Sequence, residues 1–267
     1  MSDSYYTPHR SLRECRYWWF DGWEWAVNYA LSRAGTPRIC VEPGEIAIDP
    51  HIHTLFSHCS ISRPDRILMR AARIGLGGIA VTDHNDTRGA ADTALCAEHL
   101  KREGLLPEDF LVIPGVEISS AAGHIVGLFV RESLPERLAV GEAARLIHEA
   151  GGLAVAPHPY HSTGVCDAVF DARWDAVEIE CGSVFSSRLV RQNAGLAYDP
   201  RLAHAARLGA SDAHYANAIG LCYTVLEACE PTLEAAREAI AQGRARACVS
   251  DPCTRMRRML GGIRKLR

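Results

Sequence analysis

Chemically demanding side chains recur at one particular place in this chain. Seven short apolar or β-branched runs follow one another at 45–53, 77–84, 110–119, 123–130, 152–159, 176–180 and 207–214, and most end in histidine, aspartate or glutamate. The residues concerned are His51 and His53, Asp83 and His84, Glu117, His158, and Asp212 with His214. Helical patterns at 64–75, 90–104, 140–152 and 186–197 separate several of the runs. Apolar strands alternating with helices predict a parallel sheet covered by helices. About seven such units over roughly 180 residues favour a small β/α barrel, with an open α/β sheet as the alternative. In a barrel the C-terminal strand ends converge on one face, where active sites lie.

That convergence has a chemical consequence. Several imidazoles packed together repel one another when protonated, and each needs hydrogen-bond partners. Divalent metals resolve both problems, because neutral imidazole and carboxylate are good metal ligands. His51 and His53 are two apart and so project from the same face of a strand. A lone histidine at a strand end is more often structural; the whole set at successive ends is not. His9, His99, His148 and His204 fall in the leader or on helical patterns and are read as surface or packing residues, while His161 lies just past His158 on the presumed site side.

The rest of the sequence narrows the class. With 48% hydrophobic and 23% charged residues, the chain can bury a full-sized core. No apolar stretch approaches the ~20 residues of a membrane helix, and the N-terminus lacks a signal-peptide layout, so a cytoplasmic protein is expected. The ten cysteines show no CxxC pair and are expected as reduced, mostly buried thiols. A net charge of −3 argues against a general nucleic-acid binder. Three zones are expected: a Trp-rich extension over 1–45, a catalytic domain over 46–243 and a basic tail over 244–267. Trp18, Trp19, Trp23 and Trp25 suit a helix closing the barrel or, as the sharper reading, a homodimer contact. The tail is expected to be a solvated end.

In order, DPHIHTLFSH (49–58), TDHND (82–86), PGVEIS (114–119), GHIVGL (123–128), APHP (156–159) and SDAH (211–214) resemble the motifs of the polymerase and histidinol phosphatase (PHP) family. The resemblance runs from about Ile46 to Val225. It implies a distorted (β/α)7 TIM-like barrel that hydrolyses phosphate esters with two or three Mn, Zn or Fe ions. Carried over by motif, His51, His53, Glu117 and Asp212 would hold one metal. Glu117 would bridge to a second, shared with His124 and His158. His58, His84 and His214 would hold a third. Asp49 and Asp83 would orient ligands from behind. A position that is Asn in the family is Cys181 here, within EIECG.

The function implied is hydrolysis of a small phosphorylated metabolite or a nucleotide or oligonucleotide end. A metal-bridged hydroxide would attack phosphorus, with His84, His214 and Asp212 as the catalytic side chains. Arg63, Arg188, Arg191 and His161 are candidates for holding the phosphate. Two other readings stay open: an amidohydrolase-type C–N hydrolase and a non-catalytic domain of the same family. The carboxylated lysine common in amidohydrolases has no counterpart, since neither Lys101 nor Lys265 falls at a strand end.

Overall fold

The computed structural model describes residues 29–31, 33–227 and 229–263. The Trp-rich stretch before Tyr29, with its expected dimer contact, lies outside them. Strands β1 (Ile46–Ile52), β2 (Gly78–Val81), β3 (Leu111–Ser119), β4 (His124–Leu128), β5 (Leu153–Ala156), β6 (Ala176–Cys181) and β7 (Ala206–Ala210) coincide with the seven apolar runs. Helices α1 (Pro64–Ile74), α2 (Arg88–Arg102), α3 (Val140–Glu149) and α4 (Ser187–Gly195) follow β1, β2, β4 and β6. Their inward faces explain why they form. Ile67, Leu68, Ala71 and Ile74 of α1 recur at helical spacing and are all buried, while Gly75, at φ 96°, ends the helix in the left-handed conformation.

Among the described residues the sheet has nine strands in the order β7-β6-β5-β4-β3-β2-β1-β8-β9, where β8 is Cys222–Leu226 and β9 is Ala245–Val249. It is not uniformly parallel. Strand β4 runs antiparallel to both β3 and β5, because a tight connection rather than a helix joins β3 to β4. Strands β8 and β9 form an antiparallel pair, with β8 on Ile46–Ile48 of β1. The other end of β1 reaches the β7 side directly, through the parallel bridge Ile52–Ala213 and the bond from His53 N to Ala213 O at 2.9 Å. Thr224 of β8 exchanges bonds with both backbone groups of Gly209 in β7. The sheet is therefore bent into a nearly closed, distorted TIM-like barrel of the PHP type.

The basic stretch after residue 243 is more ordered than its charge suggested. It contributes β9 and helix α6 (Asp251–Ile263), which follows α5 (Leu233–Ala241), and Cys253 and Met256 are buried against the core. Arg257 of α6 donates to Glu180 at 2.6 Å and to the Cys181 carbonyl at 2.8 Å. The nine described cysteines are all unpaired, but only Cys181, Cys222, Cys229 and Cys253 are buried. No helix among the described residues is long and apolar enough to cross a membrane.

Candidate metal centre

Glu117, near the end of β3, is the hub of the strand-end residues. Its backbone is fixed between neighbours: its N–H donates to Asp83 O at 3.1 Å, and its carbonyl accepts from Asn85 N at 2.8 Å. Its carboxylate is buried, and neither oxygen has a hydrogen-bond partner. Five imidazoles nevertheless surround it. His124 Nδ1 lies 2.9 Å from Oε1 and His84 Nδ1 3.0 Å from Oε2. His53, His158 and His51 follow through Nε2 at 3.3, 3.3 and 3.5 Å.

A buried carboxylate without hydrogen bonds is costly. Close nitrogens that fail hydrogen-bond geometry are what ligands of a common ion look like when no ion is present. Imidazole and carboxylate also make a donor set suited to Zn, Mn or Fe. The residues therefore fit divalent metals.

Four groups have donor atoms all within 4.8 Å of one another: His51, Glu117 and His158; His51, His53 and Asp212; His84, Glu117 and His124; and His53, His84 and His214. Eight of the nine residues expected as ligands thus come together. His58 is in none of these groups; it is exposed, with its ring centroid 5.6 Å from that of His84. The expected separation of the His84 and His214 site from the rest is also absent, since His84 approaches Glu117 and His53 joins both histidines.

The supporting side chains are specific. Asp83 accepts from Thr54 N and Oγ1 at 2.8 and 2.6 Å and from Ser57 Oγ at 2.6 Å. Because Ser57 donates to Asp83, its oxygen is left to accept from His53 Nδ1, 3.0 Å away. That fixes the His53 tautomer with Nε2 toward the cluster. Asp49 accepts from Ser211 N and Gly220 N, both at 2.9 Å, and so holds the backbone beside Asp212. Cys181 lies 3.1 Å from Ser183 Oγ, which donates to Asp212 Oδ2 at 2.8 Å. His158 and Asp212 have φ values of 28° and 51°. Such left-handed backbone costs about 1–3 kcal/mol at a non-glycine residue and often marks functional sites.

Sequence reasoning missed two residues. Glu178 of β6 is buried; it accepts from His51 Nδ1 at 2.8 Å and from His158 N at 3.0 Å. Its signal was an acid in the middle of an otherwise apolar strand, with Glu180 two residues on, read only as strand. Cys59, next to His58, contacts His84 and His214.

Protonation follows the crowding. Burial lowers the pKa of His84, but contacts with Cys59 and Glu117 outweigh it and carry it to about 10. Burial likewise opposes the Asp212 charge and the Cys59 contact at His214, which ends at about 9. Burial, with the neighbouring His214 charge, takes His53 down to about 3. Burial acts against ionisation of Glu117 and Asp212, yet the surrounding histidines, His51 foremost, hold both well below the usual carboxylate range. In the metal-free site, protons on imidazoles do the charge balancing.

A cavity of about 650 Å³ opens over the cluster, lined by His58, Cys59, His84, Asn85, Asp86, Glu117, Ser119, His124, Glu136, His158, His161, Thr163, Asp212 and His214. His161 is on its wall, with its Nδ1 3.0 Å from Thr163 Oγ1. Arg63, Arg188 and Arg191 are not part of its lining. Arg63 pairs with Asp65 at 3.0 Å, and Arg188 and Arg191 are exposed on α4.

Barrel and site together define a metal-binding α/β protein with its donors at the C-terminal ends of the parallel strands and, for His124, at the start of antiparallel β4. The chain belongs to the PHP domain family, whose model matches residues 49–228. A Methanocaldococcus jannaschii protein described as uncharacterized is 36% identical over 145 residues, covering 49% of this chain and 79% of that protein. Two solved structures share the fold. One is a two-domain Bacteroides vulgatus protein described as containing a predicted PHP-like metal-dependent phosphoesterase. It has TM-score 0.61 and 21% identity, over 80% of this chain and 69% of the other. The second is PsfC from Pseudomonas syringae PB-5123, with TM-score 0.58 and 20% identity, over 83% of this chain and 98% of the other.

Proposed function

We propose that the protein is a metal-dependent phosphoesterase acting on a small phosphorylated metabolite or a nucleotide end. One observation carries the reading: both oxygens of Glu117 are buried, lack hydrogen bonds and face five imidazoles, the arrangement needed to hold two or three Mn, Zn or Fe ions side by side. Bound ions supply an activated water and neutralise charge on the phosphoryl oxygens. The chain's own residues do the rest. Glu117 and Asp212 bring negative charge to the ions, and His51, His53, His124 and His158 fix their positions. His84 and His214 would assist the leaving oxygen, by holding a third ion or, where that ion is absent, by acting as acids.

The cavity suits a small substrate better than a duplex. Among the described residues no arginine lines it, so phosphate binding would fall to the ions, helped by His161, Asn85, Ser119 and Thr163. The lysine-bridged form of the C–N hydrolase reading gains nothing among the described residues, since Lys101, in the last turn of α2, pairs with Glu98 at 3.4 Å rather than reaching the cluster.

The test is a panel of phosphomonoesters, phosphodiesters and nucleotides, assayed with the protein reconstituted separately with Mn, Zn and Fe. Metal-dependent phosphate release from at least one class, abolished by chelation, is the expected result. Turnover of amides or amidines alone would overturn the proposal.

A further inference from the structure

A carboxylate within an apolar strand is stable only when each oxygen has a donor. Glu178 meets that condition with donors from two different strand ends. Its Oε1 faces His51 Nδ1 at 2.8 Å, on β1, and its Oε2 accepts from His158 N at 3.0 Å, just past β5. Strand β6 is built to deliver it. Glu178 pairs with Leu208 and Glu180 with the next residue, Gly209, so one extra residue lies between the two carboxylates. The bulge reverses the side on which the second one falls. Glu178 turns to the histidines while Glu180 turns to Arg257 of α6 at 2.6 Å.

The two contacts do different things. An ionised carboxylate only accepts, so the proton on His51 must sit on Nδ1. His51 Nε2 is then the atom left to face the cluster, 3.1 Å from His53 Nε2 and 3.5 Å from both Glu117 Oε1 and Asp212 Oδ1. The bond to His158 acts on the backbone instead. It pins the amide of a residue whose φ is 28°, a conformation that must be held by its surroundings. The outcome is a pair of rings stacked at 5.6 Å between centroids and 26° between planes, converging with Glu117.

We propose that Glu178 is a positioning residue for the ion held by His51, Glu117 and His158, setting one ligand through its tautomer and the other through its backbone. This rests on the metal-binding reading above. It is more specific than that reading, because Glu178 bonds to neither His84 nor His124, the partners of Glu117 in the neighbouring group. His51 also groups with His53 and Asp212, so losing Glu178 should weaken the ions that His51 and His158 hold and spare the one held by His84, Glu117 and His124.

The experiment titrates Zn(II) into metal-free wild type and E178Q against a chromophoric chelator, and records the melting temperature of both metal-free proteins. The amide has one acceptor oxygen for two donors, so it cannot satisfy both contacts, while its size preserves the packing. Expected is a 10–100-fold loss of affinity for at least one equivalent, the scale typical of such supporting contacts. The remaining equivalents and the metal-free melting temperature should stay near wild type. E178D, which keeps the charge, should recover part of the affinity.

In the Zn(II)-loaded wild type, the His51 Nδ1–H should appear as a slowly exchanging downfield proton resonance that E178Q shifts or loses. Wild-type affinity for every equivalent in E178Q, or a loss spread evenly over all ions with a fallen metal-free melting temperature, would overturn the positioning role. Wild type that takes up no Zn(II) would instead sink the metal reading itself. The two failures are thus distinguishable.

Discussion

Thr54 donates twice to the carboxylate of Asp83, from its amide at 2.8 Å and its hydroxyl at 2.6 Å. This pairing locks the loop after β1 to the end of β2, and through Ser57 it sets the ring of His53. Room for it exists because residue 89 is glycine: a Cβ there would lie 1.9 Å from Asp83 Oδ2 and 2.7 Å from Thr54 Oγ1. Gly89→Ala should therefore destabilise the fold by about 1–3 kcal/mol, the usual cost of overpacking a tight site. It should also weaken metal binding, by displacing Asp83. Urea denaturation and a metal titration check both effects, and unchanged values in both would show that Asp83 does not support the centre.

Glu117→Gln should be more damaging than loss of any one histidine, because its two oxygens face five imidazoles. A fall in kcat/KM of about two orders of magnitude, ~2.7 kcal/mol of transition-state stabilisation, is expected, against a smaller loss for His124→Ala. Steady-state kinetics with matched metal content decide this. Equal losses in the two variants would remove Glu117 from its central place.

His58 and His84 should separate cleanly. His84 belongs to two of the four donor groups and His58 to none. His84→Ala is expected to lower bound metal by about one equivalent, while His58→Ala keeps its metal and changes activity at most several-fold. Metal analysis of the two folded variants provides the check. The reverse pattern would restore His58 as a ligand and would require its exposed loop to close over the site.

Metal affinity should climb with pH. His84 and His214, carried to about 10 and about 9, hold protons at neutral pH in the metal-free site, and an incoming ion must displace them. Each proton released makes the apparent affinity rise about tenfold per pH unit, until pH passes the raised pKa. The sign for the metal-free fold is opposite. Raised histidines stabilise it fully below about pH 6.5, their unfolded value, and that contribution is lost as pH rises through about 9 to 10. Chelator competition at pH 6, 7, 8 and 9 should show the rise; a flat profile would mean that these imidazoles are not the ligands displaced.

Arg257→Ala should cost about 1.5–3 kcal/mol of stability, the range for hydrogen bonds to charged groups. It removes the ties from α6 to Glu180 and the Cys181 carbonyl. A denaturation midpoint indistinguishable from wild type would mean that α6 is held by Cys253 and Met256 alone.

The barrel was legible in the sequence because most of the seven apolar runs carried their polar residues at the C-terminal end, the run at 123–130 with His124 at its start being the exception. The site was legible because chemistry that needs clustered imidazoles is rare in a core. Orientation was not legible. His58 shares a motif with His51 and His53, yet spacing along a loop does not say whether a ring turns in or out. Arg63 follows the first motif but is captured by Asp65 two residues on. Strand β4 read as another apolar run, because direction depends on the length of the connection and not on the pattern of the strand. The sheet-forming character of Ala245–Val249 was hidden by Arg246 within it and Arg244 just before it, and α6 by its charge and its glycines.

The most direct test of the metal centre is elemental analysis of protein purified without chelators and then dialysed against metal-free buffer. Two or three equivalents of transition metal per chain are expected, falling by at least one in Glu117→Gln. One equivalent or fewer in wild type, with Glu117→Gln unchanged, would contradict a centre built around Glu117.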